Sequence, residues 1–162
     1  MDWQTPLLVS AVAFAAFMIF RFRPVISGDG RATAAALKGA KQQIAAAKDD
    51  AARAKALCDA ADASARLGRF RTAVSFYLRA VRAEPGSKEI VQRASVSLAR
   101  RPAALEKVLW QQLAASPWTG EARDAARIAL EALAQSYAKR PRFAARARAI
   151  EHALDALGGD AG

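Results

Sequence analysis

Cys58 and His152 are the only thiol and the only imidazole in this chain of 162 residues. One cysteine can neither close an internal disulfide nor build a multi-cysteine zinc site, and one histidine leaves no second imidazole for a metal cluster. Neither has a partner in the sequence that would make it a nucleophile or a base. Cys58 reads as a small packed residue in an alanine-rich helix, and His152 as a residue flanking an apolar stripe. The carboxylate pairs Asp59/Asp62 and Glu121/Asp124 each share a helical face, as pairs on any solvated helix do. The chain has no glycine-rich phosphate loop, no nucleophile elbow and no metal-ligand spacing. The sequence therefore indicates a protein that is not an enzyme, with no catalytic residues, no cofactor and no metal.

Charge is the stronger signal. Lys and Arg number 25 against 15 Asp and Glu, a net charge of +10, with a pI near 10.6. Such a surface suits anionic lipid, nucleic acid or an acidic protein segment. The arginines are scattered over most helices, without interleaved aromatics or a recognition motif, so nucleic acid is not the indicated partner. The densest group is Lys139, Arg140, Arg142, Arg146 and Arg148, at the start of the last helix. There it opposes the helix dipole and is a candidate for binding an acidic ligand or lipid headgroups.

The elements that must position these residues are helical. Alanine, the strongest helix former, occurs 43 times, and aromatics make up only 7%. Residues 6–20 carry no charge, and Trp3 to Phe22 covers 20 residues, about 30 Å of helix and close to the hydrocarbon thickness of a bilayer. Thr5-Pro6 can open that helix and Pro24 ends it. Arg21 and Arg23 follow the apolar run rather than precede it, which favours an uncleaved anchor over a signal peptide. By the positive-inside rule the remainder is cytoplasmic. The expected organisation is a transmembrane anchor over 1–24, a linker over 25–32, a helical domain over 33–158 and a tail over 159–162. Turn and cap residues predict helices over about 33–48, 50–66, 70–83, 88–99, 102–115, 119–138 and 141–157. Short connections make these antiparallel neighbours.

Residues 54–87 resemble a tetratricopeptide repeat, a helical pair of about 34 residues. Gly68 stands at the turn and Phe70 just after it. Ala61, Ala73 and Ala80 take the small positions, Phe76 and Tyr77 the aromatic ones, and Pro85 closes the unit. Leu57 stands where the family often has tryptophan. Residues 88–118 and 119–157 match less well. The resemblance implies an all-α fold, a solenoid of about three stacked hairpins behind the anchor, with a groove lined by the first helix of each pair. Lys55, Cys58, Asp62 and Arg66 would face that groove from the first pair, and Glu89, Gln92, Val96 and Arg100 from the second. Trp110 and Trp118 would either wedge between hairpins or stand exposed as partner anchors. The expected function is that of a single-pass membrane adaptor or scaffold, in a bacterial inner membrane by composition. It would recruit a protein or peptide into a membrane complex. A permanent structural subunit and a mitochondrial-type precursor receptor are the alternatives; the net positive charge works against the latter, whose ligands are basic.

Overall fold

A computed structural model describes residues 28–159. The expected anchor over 1–24 lies outside the described residues, as does most of the linker over 25–32. Among the described residues no helix is long and apolar enough to cross a membrane. The chain divides into two units, Met1–Ala32 and Thr33–Gly162. Of the first, only the opening turns of a helix are described; the packing below is that of the second.

The described residues are helical with no strand: α1 (Gly28–Ala46), α2 (Asp50–Arg66), α3 (Phe70–Ala83), α4 (Lys88–Ser97), α5 (Pro102–Ala115), α6 (Glu121–Ala138), a 3₁₀ turn (Pro141–Phe143) and α7 (Ala144–Gly159). Local chemistry sets most of the boundaries. The Asp49 carboxylate accepts from the Ala52 amide at 2.6 Å and caps α2. At the far end of α2, Gly68 takes φ +73°. The Gly68 and Arg69 amides donate to the Ala65 and Ser64 carbonyls, both at 2.9 Å, a Schellman closure that requires a residue tolerant of the left-handed region. Pro102 opens α5 and forces Arg101 out of helix, so α4 stops at Ser97, short of the expected 99. Gly120 at φ +54° delays α6 to Glu121. Helix α1 starts at Gly28, inside the expected linker over 25–32.

The helices form a solenoid of three hairpins: α2/α3, α4/α5 and α6/α7. The first helices pack in order, α2 on α4 and α4 on α6, while α3 packs on α5 and α5 on α6. Alanine makes this spacing possible. Ala60, Ala61, Ala73, Ala80, Ala94 and Ala129 are fully buried, and their short side chains let helix backbones approach closely. Tyr77, Leu57, Leu98, Leu109 and Leu133 fill the space that remains. Leu37 and Ala40 of α1 are buried in the same core, so α1 joins the stack. The outer side of α7, with Arg148, Glu151, His152 and Asp155 exposed, is polar, as the end of a solenoid must be.

One core position is at odds with its surroundings. Gln112 on α5 is 3% exposed, and neither its amide nitrogen nor its amide oxygen has a hydrogen-bond partner in the protein. A buried amide without partners costs roughly 1–3 kcal/mol. Gln112→Met, close in shape, is therefore expected to raise the urea midpoint. A lowered midpoint would show that the amide is satisfied in solution.

Candidate functional site

The face made by the first helices is organised around Asp62. Tyr77 and Ser97 donate their hydroxyls to Oδ1 of Asp62. Arg93 donates to Oδ2 from Nε at 2.9 Å and from Nη2 at 2.6 Å. The same Nη2 lies 2.6 Å from Asp59, and Nη1 lies 3.4 Å from Glu89. One carboxylate thus ties α2 to both α3 and α4. Arg93 was not among the residues expected from sequence. Its partners stand 31 and 34 positions away, and only its i, i+4 spacing from Glu89 is visible in the sequence.

The expected groove residues separate into distinct places. Asp62, only one-fifth exposed, is held in the inter-helix network and also lines, with Arg93, the cleft that Arg66 borders. Lys55 lines a cleft of about 290 Å³ with Cys58, Glu84, Ser87 and Glu89. Arg66 lines another of about 430 Å³ with Gly39, Gln43 and Asp59. Glu89 and Gln92 are exposed on α4 together with Val96, which is 80% exposed, and Arg100 is exposed in the turn that follows. Trp110 belongs to α5, a second helix of its pair. It is 44% exposed, and its indole N–H donates to the Tyr137 hydroxyl at 3.2 Å. It therefore sits at the α5–α6 seam, away from the face shared by α2 and α4. Trp118 is tied down by its own indole N–H, which donates to the Leu113 carbonyl at 2.9 Å. Of the positions that carry the resemblance, Leu57, Ala61, Ala73, Phe76, Tyr77 and Ala80 are buried, Phe70 is half-buried, and Gly68 and Pro85 lie in exposed turns.

The basic cluster gathers around one ring. The guanidiniums of Arg140, Arg142 and Arg146 lie 5.5, 4.9 and 5.1 Å from the centre of Phe143, and Arg146 also reaches Glu106 at 3.4 Å. Glu106 accepts from Tyr137. Lys139 and Arg148 are exposed. No family model matches the chain, and no curated protein or solved structure is significantly similar to it.

The titration of the buried groups speaks for structure. Burial pushes the Cys58 thiol up to about 12, which keeps it protonated and inert as a nucleophile. Burial, and then the hydrogen bond to Asp62, raise Tyr77 well above its ordinary value of 10.0; Tyr137 moves the same way through burial and Glu106. These groups hold their protons more tightly folded than unfolded. Their contribution is complete below the unfolded-state values and is lost as pH rises toward the folded ones. Stability is therefore expected to fall from about pH 9–10 upward. A spectrophotometric tyrosine titration at 295 nm should show ionisation only together with loss of helix. Free ionisation of both tyrosines near pH 10 in a still helical protein would refute this.

Proposed function

We propose that the chain is a membrane-tethered scaffold of the tetratricopeptide-repeat kind, whose first-helix face holds a partner protein or peptide and recruits it to a membrane complex. The observation that carries this reading is Val96. A β-branched apolar side chain stands 80% exposed in α4, one turn after the exposed Gln92 and beside the Asp62–Arg93 network. An apolar centre within a polar surround is what a peptide-binding groove offers. The apolar run 6–20 supports the tether, and the Gly68 turn with buried Ala61, Ala73, Tyr77 and Ala80 supports the repeat assignment. Permanent assembly as a subunit is the second reading, since the same face would then be filled by a fixed neighbour.

The test places a photo-crosslinking residue at Gln92 or Val96 in the full chain, in membranes. An adaptor yields a defined crosslinked partner that salt washing removes before irradiation. A subunit yields one that survives the wash in fixed ratio. Absence of any crosslink at both positions overturns the groove assignment.

A further inference from the structure

The charge of this protein is sorted by the turns of the solenoid. The turns inside each hairpin all lie along one edge. Arg101 of the second such turn stacks on Phe70 of the first, 4.7 Å from the ring centre. Arg146, just past the third, reaches Glu106 in the opening turns of α5. The turns between hairpins lie along the opposite edge, where Gly86 packs against Ser116 and Ala122. On the first edge, segments 66–71, 98–102 and 138–143 contain eight Lys or Arg and no Asp or Glu. On the second, segments 47–51, 84–89 and 116–121 contain five acids and two lysines, and Arg53 and Arg82 share a cleft with Asp50, so this edge carries both signs of charge. Helix composition demands no such division. Moreover α1 runs antiparallel to α2, with Ile44 beside Asp50 and Arg53 at one end and Ala36 in a cleft with Ala63 and Arg66 at the other. Within this unit the first turns of α1 therefore lie toward the basic edge.

We infer that the basic turn edge docks on the anionic headgroups of a bilayer. The protein would lie with its hairpin axes steeply inclined to the membrane and its opposite edge turned away. Charge complementarity carries the inference. Guanidiniums suit phosphate oxygens. Phe70 and Phe143 hold Arg101, Arg140 and Arg142 in place by cation–π contact, which limits the side-chain entropy lost on docking. This docking does not depend on the membrane-tether reading, since the charge division stands without it.

The test uses the full chain with vesicles of phosphatidylcholine alone or mixed with phosphatidylglycerol. A fluorophore is placed on the basic edge through Ala99→Cys or on the opposite edge through Thr119→Cys, and an energy acceptor on the lipid headgroups. Transfer from the basic edge is expected to rise on the anionic vesicles, fall back in high salt and be lost in R69Q/R71Q/R100Q/K139Q, four positions outside the cation–π pairs. Transfer from the opposite edge should stay unchanged. The salt dependence of the unsubstituted edge decides the matter even if the fourfold variant misfolds. Equal transfer on both vesicle types, or from both edges, overturns the docking. So does displacement from the anionic vesicle by duplex DNA at equal phosphate, in favour of nucleic acid. Flotation on phosphatidylcholine alone tests the tether separately: a chain that floats only with phosphatidylglycerol retains the docking and loses the anchor.

Discussion

Asp62→Ala is expected to lower the unfolding free energy by about 3 kcal/mol. The substitution removes the acceptor for two hydroxyls and one guanidinium together. Tyr77 is fully buried and has no route to water for its hydroxyl. Arg93 is about one-quarter exposed and keeps only Asp59 and the more distant Glu89. Removing one side of a desolvated pair costs more than the pair contributes, because the remaining group stays buried and unmatched. Asp59→Ala is the control. Asp59 is 41% exposed and meets Arg93 alone, so solvent screening holds its loss to about 1 kcal/mol or less. Urea melts of the two variants decide the matter, and equal midpoints would show that Asp62 is not the node joining α2, α3 and α4. Tyr77→Phe should fall between them, since it removes one donor and leaves the carboxylate its other partners.

Gly86→Ala is expected to cost roughly 2–5 kcal/mol, against roughly 1–2 for Gly68→Ala. Both glycines lie in the left-handed region, at φ +84° and +73°, so both variants carry the conformational term. They differ in what the new methyl meets. At Gly68 it meets open space, whereas at Gly86 it would stand 2.8 Å from the Ala122 Cβ, 3.2 Å from the Ser116 Oγ and 3.4 Å from the Ala122 Cα. An alanine methyl and a helix backbone cannot rotate aside, so α6 would have to move away from the first inter-hairpin turn. Ala122→Gly in the Gly86→Ala background should recover the steric part and bring the loss down to that of Gly68→Ala. If Gly86→Ala alone is no worse than Gly68→Ala, the third hairpin does not pack this closely on the turn.

Much of the architecture was readable without coordinates, because it is written in local terms. Alanine content called for helices. Asp49, Gly68, Pro102 and Pro141 punctuate the chain through effects that act within a few residues, and the expected spans 50–66, 70–83 and 102–115 match the observed helices. Boundaries drifted where the deciding group lay outside the helix itself, as with α4 ahead of Arg101-Pro102. The role of Asp62 was not readable. A carboxylate on an exposed-looking helical face is ordinary, and what internalises it is an arginine from the next hairpin. The place of Trp110 was hidden in the same way, since the stripe of α5 alone does not say which neighbour its edge will meet.

The same division holds for charge. An excess of cations, a thiol and an imidazole with no chemical partners, and a charge-free run near the start are properties of composition and order, and the sequence by itself determined them. That eight of those cations share one edge, opposite the acids, was decided only by the stacking of hairpins. Residues some 30 positions apart become neighbours through packing, and the electrostatic field depends on distance in space, not along the chain.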